Sequence, residues 1–279
     1  MCRLVKVKKI YLLLIPLILS GCKLDLLNLV TPRSGYSLEK NIEYGELDRQ
    51  KLDIYRPTKV SDSPLTIVFF YGGAWQNGDK KQYRFVAQAL ADRGYQVIIP
   101  NYRVYPEVLF PGFMSDAAQA LNWIIENINQ PLVLMGHSAG AHIAALLALD
   151  ETYLGDNRSQ LKGFIGLSGA YDFLPLKSET LQTIFDAAEN LDVTQPINFV
   201  SSESPPALLI HGLDDKRVLP KNSRHLEAAL QEQAVEAELV LYPEAGHGIT
   251  VGAIAKLLQN RLPVLEKISD FLNALKEKS

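Results

Sequence analysis

Cysteine is nearly absent from this sequence of 279 residues, which has only Cys2 and Cys22. Both lie close to the N-terminus, so a disulfide within the folded part is excluded, and so is catalysis by a cysteine thiol there. Strong charge is lacking too, because 28 basic residues against 31 acidic ones give a formal net charge of -3. No basic stripe follows the first ten residues, so nothing favours a nucleic-acid partner. Internal repeats and low-complexity tracts are also missing.

The N-terminus has the charge and hydropathy pattern of a secretory signal. Basic residues from Arg3 to Lys9 precede an apolar run from Ile10 to Leu19. That run is too short for a membrane-spanning helix, which needs ~20 apolar residues. It ends in Leu19-Ser20-Gly21-Cys22, which resembles the lipobox of bacterial lipoproteins, and that resemblance implies cleavage before Cys22 and lipidation of its thiol. The alternatives are a plain signal peptide and an uncleaved anchor.

We therefore predict a lipoprotein signal peptide over residues 1–21, a tether over residues 22–40 and a folded domain over residues 41–279. The Thr31-Pro32-Arg33-Ser34-Gly35 stretch breaks any helix in the tether. The expected location is the bacterial cell envelope, with a lipid anchor in the membrane and the domain at the periplasmic or outer-membrane face.

From residue 41 onward, predicted strands alternate with predicted helices. Apolar runs rich in β-branched and aromatic residues, such as Leu65–Tyr71 and Pro131–Met135, indicate buried strands. Helical patterns follow them, as at Ala139–Leu149. This alternation predicts an α/β fold with a mostly parallel central sheet and helices on both faces. Residues 171–204 interrupt the rhythm without an obvious strand, and we expect them to form a small cap insertion near the site.

A G-x-S-x-G pattern at Gly136-His137-Ser138-Ala139-Gly140 lies between a predicted strand and a predicted helix. In that context the serine sits on a sharp, strained turn and is a candidate nucleophile, although a plain Gly/Ser turn would give the same letters. The glycines avoid a clash between the adjoining strand and helix. Ser138 is therefore the predicted nucleophile.

A serine hydroxyl needs a base to take its proton. Of the five histidines, His247 stands in a loop directly after the last predicted strand, between Gly246 and Gly248. The flanking glycines would let this loop bring the imidazole close to another backbone. His247 is the predicted base. The remaining histidines are assigned packing, loop or surface roles.

An acid should orient the base. In folds where the serine sits on a strand–turn–helix motif, the acid lies between the nucleophile and the histidine along the chain. Asp214 and Asp215 both follow the predicted strand Ala207–Ile210, and Asp172 is a more distant candidate. Spacing alone does not choose between Asp214 and Asp215.

Donors for a developing oxyanion are expected at two places. One is the backbone N–H of Ala139, directly after the nucleophile. The other is the loop Tyr71-Gly72-Gly73-Ala74-Trp75, where Gly73 is the main predicted donor and Ala74 a helper, although an ordinary Gly-Gly turn is the simpler interpretation of that pair. Trp75 is predicted to bind substrate or to pack beneath the loop.

These motifs together resemble the α/β-hydrolase superfamily, in its esterase/lipase branch with an H-G-G-x-W oxyanion loop. That branch includes feruloyl/acetyl-xylan esterase-like proteins, carboxylesterases of the hormone-sensitive-lipase type and kynurenine formamidases. Its H-G-x-x-D-x-x-V stretch carries the acid, and here that stretch is His211–Val218, so the resemblance assigns the acid to Asp215. Tyr71 departs from the pattern, which usually has histidine there.

The resemblance implies a carboxylesterase-type serine hydrolase that acts on small-molecule esters with a short-chain acyl or aryl group and needs no metal and no cofactor. An arylformamidase or amidase on the same triad is the first alternative. A serine peptidase of the prolyl-oligopeptidase type would share the core but needs a large extra domain. The non-enzymatic alternative is a binding lipoprotein that keeps the fold.

Overall fold

The computed structural model describes residues 20–60 and 64–277, and an eight-stranded sheet forms the centre of this part. The strands are β1 (Tyr36–Glu43), β2 (Lys51–Pro57), β3 (Thr66–Phe70), β4 (Gln96–Pro100), β5 (Leu132–His137), β6 (Leu161–Leu167), β7 (Ala207–Gly212) and β8 (Ala237–Tyr242). Every residue of β3, β4, β5 and β7 is buried, because helices cover both faces of the sheet and the strands are continuous apolar runs.

The sheet order is β1-β2-β4-β3-β5-β6-β7-β8. The β1–β2 and β2–β4 pairs are antiparallel, and all pairs from β4–β3 to β7–β8 are parallel. The carboxyl ends of the parallel strands therefore meet at one edge, where ligand sites form in folds of this kind. The mostly parallel sheet predicted from the sequence is confirmed.

Helices lie on both faces of the sheet, and α4 is buried along its whole length. The helices are α1 (Ser20–Val30), α2 (Arg84–Ala91), α3 (Gly112–Asn127), α4 (Ala139–Leu149), α5 (Glu179–Phe185), α6 (Lys221–Glu232), α7 (Ile249–Gly252) and α8 (Val264–Glu277). The many alanines of α4 let it lie close to the sheet, so the residue before it, Ser138, is held by the core. Of the helices described, none combines the length and the apolar character that crossing a membrane requires.

The predicted tether differs from the structure. Residues 1–19 of the predicted signal peptide lie outside the described residues, but helix α1 and strand β1 occupy most of the segment from residue 20 to residue 43. Leu24 and Leu27 pack against the core, and the Asn28 side chain accepts a hydrogen bond from the Phe85 amide at 3.1 Å. The helix ends at Val30, directly before the Thr31–Gly35 stretch that was predicted to break any helix. The sheet thus begins at Tyr36, inside the segment predicted to be a tether, because β1 pairs with β2.

The cap consists of residues 171–204, which contain α5 and two short 3-10 helices and no strand. Its aromatic side chains Phe173 and Phe185 pack on Trp75, at ring-centroid distances of 5.8 and 5.1 Å. The cap therefore covers the loop that follows β3, at the edge of the sheet where the chemical motifs meet.

Candidate active site

Ser138 occupies the turn between β5 and α4, with φ 56° and ψ -122°. Non-glycine residues rarely adopt this strained conformation, which is typical of a nucleophile held on a sharp turn. A Cβ atom on Gly140 would lie 2.1 Å from the carbonyl oxygen of Phe70, and one on Gly136 would lie 2.3 Å from that of Gly140. Both glycines are therefore required for the close packing of strand, turn and helix, as the sequence predicts.

His247 and Asp215 lie next to this serine. The His247 Nε2 atom is 2.8 Å from Ser138 Oγ, and its Nδ1 atom is 2.7 Å from Asp215 Oδ2. A carboxylate can only accept, so Nδ1 carries the hydrogen and Nε2 presents its lone pair to the serine hydroxyl. The structure thus brings the three residues predicted as nucleophile, base and acid into one hydrogen-bonded chain.

Asp215 is buried, and its two carboxylate oxygens have different partners. Oδ1 accepts hydrogen bonds from the amides of Arg217 and Val218 at 2.9 and 3.1 Å. Oδ2 faces the imidazoles of His247 and His211, the latter at 3.2 Å. Burial alone would raise the pKa of Asp215, but the hydrogen bonds from His211 and His247 outweigh it and hold the pKa well below its usual range. The acid is therefore ionised at neutral pH.

The other candidates for acid and base lie elsewhere. Asp214 is exposed and its amide donates to the Ala245 carbonyl, so its neighbour, Asp215, is the aspartate in contact with His247. Asp172 pairs with His225 at 2.5 Å in an exposed position. The choice that the family resemblance makes between the two adjacent aspartates thus agrees with the geometry.

The loop after β3 has an unusual backbone. Gly73, Ala74 and Trp75 have successive positive φ angles of 151°, 54° and 58°. A Cβ atom on Gly73 would lie 1.9 Å from the Asn77 carbonyl oxygen, so this position requires glycine. The backbone amides of Gly73 and Ala74 donate no hydrogen bond to any of the described residues. Gly72 lies against the nucleophile turn, since a Cβ there would be 3.0 Å from that of Ser138.

Tyr71, which departs from the family pattern, packs against neighbouring rings and stabilises this loop. Its ring stacks on Tyr102 and Tyr83 at 4.5 and 5.9 Å. Its hydroxyl accepts a hydrogen bond from Arg49 at 3.0 Å, and the same guanidinium donates to the carbonyl oxygens of Tyr102 and Gly78. Arg49 therefore clamps both ends of the loop, a role that sequence analysis missed because the residue lies before β2 and in no motif.

Trp75 is buried and does not point into solvent. Its indole N–H donates to His142 Nδ1 at 3.3 Å, and His142 Nε2–H donates to the Thr194 carbonyl oxygen at 2.8 Å. This bridge joins the loop after β3 to α4 and to the cap. Burial lowers the pKa of His142 to about 4, so the neutral form that the bridge needs prevails at neutral pH. Of the two roles expected for Trp75, packing is the one that these contacts describe.

His137 contacts the backbone of the predicted base, His247. Its Nε2–H donates to the His247 carbonyl oxygen at 3.2 Å, and the Thr250 hydroxyl donates to the same oxygen at 3.2 Å. Burial and the proximity of His247 lower the pKa of His137 to about 3. His137 therefore stays neutral and holds the backbone of the base.

Residues 20–60 and 64–277 contain no group of three or more His, Cys, Asp and Glu side chains arranged to hold a metal ion.

Fold and site geometry together define an esterase-like α/β-hydrolase. The solved structures that this chain resembles include a truncated carbohydrate esterase from gut microbiota, with a TM-score of 0.76, 21% identity and coverage of 88% of this chain and 99% of that one. They also include esterase B from Lactobacillus rhamnosis, with a TM-score of 0.76, 20% identity and 92% coverage of both chains. At such identities the similarity establishes the fold.

The family model BD-FAE matches residues 52–230, which is more than half of the chain, so the chain belongs to the BD-FAE family. A probable isoprenylcysteine α-carbonyl methylesterase of Oryza sativa subsp. japonica is 30% identical over 239 residues, which are 75% of this chain and 56% of that protein. A kynurenine formamidase of Salmo salar is 35% identical over 141 residues, 50% of this chain and 48% of that protein. This chain thus spans about half the length of these curated relatives.

Proposed function

We propose that this protein is a carboxylic ester hydrolase that acts on small-molecule esters with a short-chain acyl or aryl group. One observation carries the proposal: the unbroken hydrogen-bond chain from Asp215 through His247 to Ser138. The free amides of Gly73 and Ala74, in the loop that packs against the nucleophile turn, support it. The methylesterase relatives support the reaction class.

In the proposed mechanism, Ser138 Oγ attacks the ester carbonyl carbon while its proton passes to His247 Nε2. The negative carbonyl oxygen accepts hydrogen bonds from the backbone N–H groups of Ala139, Gly73 and Ala74, each donor lowering the barrier by ~3 kcal/mol. His247 then gives its proton to the leaving alcohol as the C–O bond breaks. Water attacks the acyl-serine by the same route, which releases the acid and restores the serine hydroxyl.

A second candidate is hydrolysis of an N-formyl aromatic amine by the same residues. The kynurenine formamidases of Salmo salar, Danio rerio and Drosophila melanogaster are among the relatives, at 35%, 27% and 26% identity, and this observation favours the alternative. The two reactions differ only in the leaving group, which would be an amine in place of an alcohol.

The cap is the part expected to distinguish substrates. An open groove of about 810 Å³ runs along it, with apolar lining residues that include Leu174, Leu176 and Phe185. Phe185 also contacts Trp75, so this groove adjoins the aromatic cluster above the oxyanion loop.

The deciding experiment measures hydrolysis of p-nitrophenyl acetate, butyrate and octanoate and of N-formylkynurenine by the purified protein. Ser138→Ala and His247→Ala should lower kcat by roughly 10⁴- to 10⁶-fold, because nucleophile and base act as one unit. Asp215→Asn should lower kcat by roughly 10⁴-fold, because an amide facing His247 Nδ1 favours the wrong tautomer. The ratio of ester to formamide hydrolysis identifies the reaction class.

His225→Ala is the matched control, since this histidine also pairs with an aspartate but is half exposed on the surface. It should leave kcat unchanged. A wild-type protein that hydrolyses none of these substrates and does not react with a fluorophosphonate probe would contradict the proposal and favour the non-catalytic binding lipoprotein.

We further propose that a lipid on Cys22 anchors the protein in the bacterial cell envelope. Leu26, Leu29 and Val30 share an exposed face of α1, the helix that contains Cys22, and they would suit the surface of a membrane. In a bacterial host fed radiolabelled palmitate, the wild type should incorporate label and Cys22→Ser should not. Equal labelling of both proteins, or of neither, would contradict the anchor.

A further inference from the structure

Behind the catalytic acid lies a second histidine that the proposed mechanism does not use. His211 is on β7, fully buried, and its Nε2 atom is 2.9 Å from the Val218 carbonyl oxygen and 3.2 Å from Asp215 Oδ2. Its Nδ1 atom is 2.7 Å from the hydroxyl of Ser223, a buried residue of α6. The chain of contacts Ser223–His211–Asp215–His247–Ser138 thus runs from a helix on the sheet face to the nucleophile.

The hydrogen positions along this chain follow from donor and acceptor chemistry. Nε2 of His211 faces a carbonyl and a carboxylate, which only accept, so Nε2 carries a hydrogen. In a neutral ring Nδ1 then has a lone pair, and the Ser223 hydroxyl donates to it. Ser223 and Val218 together fix both the tautomer and the plane of the imidazole.

Among the described residues, three imidazoles act on the Asp215 carboxylate. His211 approaches it from β7, His247 from the loop after β8, and His137 influences it from the end of β5. On its own loop, two backbone amides bind Oδ1. Of the two Asp215 oxygens, Oδ2 is the one that contacts imidazoles of the described residues, and it divides its charge between the base and His211.

We propose that His211 and Ser223 are positioning residues of the proposed esterase site, which hold the Asp215 carboxylate and share its charge on the oxygen that contacts His247. The inference depends on the proposed function for its catalytic meaning. Its structural content, the sharing of one oxygen between two imidazoles, is measurable without turnover.

Loss of the His211 donor should shift the pH profile of the enzyme in a defined direction. The negative charge on Oδ2, 2.7 Å from His247 Nδ1, is then no longer shared. A more negative carboxylate stabilises the charged form of the neighbouring imidazole relative to its neutral form. The acid limb of the pH profile of kcat/KM moves to higher pH, whereas a purely structural defect lowers the rate at every pH and leaves the limb in place.

The experiment follows the imidazole resonances of the full chain by NMR over pH, with the His247 signal assigned by its loss in His247→Gln. In His211→Phe, which keeps a ring but has no donor, the titration midpoint of His247 should rise by about 0.5–1 pH unit. His211→Gln, whose amide can still donate to Asp215, should return the midpoint towards the wild-type value. Ser223→Ala should give a smaller rise, because His211 becomes a weaker donor.

Ser204→Ala is the matched control, since Ser204 is also a buried serine that accepts a local hydrogen bond, but in a turn of the cap. A His247 midpoint that is unmoved in Ser223→Ala and in a folded His211→Phe would overturn the inference, while ester hydrolysis by the wild type would leave the proposed function standing. The pH profile of kcat/KM should shift with the NMR midpoint, and a shift in one without the other would also contradict the proposal.

Discussion

Two glycine-bearing loops meet at Ser138, and they are held in different ways. In the loop after β3, Gly73 has a φ of 151° and no room for a Cβ atom. In the loop after β8, a Cβ atom on Gly246 or Gly248 would meet nothing within 4 Å, and neither residue needs a positive φ. The sequence presents both as flexible glycine turns, yet only the first depends sterically on its glycine.

What holds the second loop is a set of hydrogen bonds. The His247 carbonyl oxygen accepts from His137 and Thr250, and Ser168 binds the Thr250 hydroxyl at 2.9 Å. The imidazole itself is fixed by Asp215. The base is therefore positioned by side-chain partners, whereas the oxyanion donors are positioned by a backbone conformation that side chains only brace. Substitutions should affect the two loops in correspondingly different ways.

Gly73→Ala provides the largest expected contrast. A Cβ atom would lie 1.9 Å from the Asn77 carbonyl oxygen, so the loop must shift and its amides must turn away from the nucleophile. The loss of one oxyanion donor typically lowers kcat by about 10²- to 10³-fold, and KM should change little because the donor acts in the transition state. Steady-state kinetics with p-nitrophenyl butyrate measure both constants.

Gly246→Ala is the paired control on the base loop, where the added methyl group meets no atom within 4 Å. Its kcat and KM should match those of the wild type. Equal losses in the two variants would show that both loops depend on glycine.

The sequence predicts the strands of this fold well because buried parallel strands are short apolar runs. Helix α4 has the predicted bounds, at Ala139–Leu149, and strand β3, at Thr66–Phe70, lies within the predicted run Leu65–Tyr71. Helix α1 and strand β1 were missed because a short segment with Thr31-Pro32 is typical of a linker. Their order comes from contacts with residues far along the chain, such as Asn28 with Phe85.

The residues predicted for the candidate site share motifs with short local signals, so their convergence could be expected. The residues that support them could not. Arg49 and His142 each contact a partner more than 20 positions away along the chain. Ser223 acts through a single hydrogen bond to His211. No local sequence pattern encodes such contacts. The flanking glycines were expected to let this loop bring the His247 imidazole close to another backbone, but a Cβ atom on Gly246 or Gly248 would meet nothing within 4 Å, so sterically neither position requires glycine.

The smallest expected effect concerns the pH dependence of the bridge from Trp75 through His142 to Thr194 on the oxyanion side. Burial lowers the pKa of His142 to about 4 in the folded state, against ~6.5 in an unfolded chain. Between these values the unfolded chain binds a proton that the folded protein does not, so the free energy of unfolding falls as pH drops. Over the full window His142 accounts for a loss of about 3 kcal/mol, and His137, whose pKa burial lowers to about 3, adds a separate loss over the same window. Asp215, whose pKa is lowered from ~4, contributes only below this window because its stabilisation is lost at still lower pH.

His142→Gln should remove the part of that dependence that His142 causes, because an amide can donate to the Thr194 carbonyl oxygen and takes up no proton. The part that His137 causes should remain in both proteins. Urea denaturation at pH 7 and pH 4.5 gives the free energy of unfolding for wild type and variant. We expect the wild type to lose more than the variant between the two pH values, by about 2 kcal/mol. The half-exposed His225 is the matched control, and His225→Gln should follow the wild type. A His142→Gln variant with the same pH dependence as the wild type would mean that the bridge between Trp75 and the cap is not held by a neutral buried imidazole.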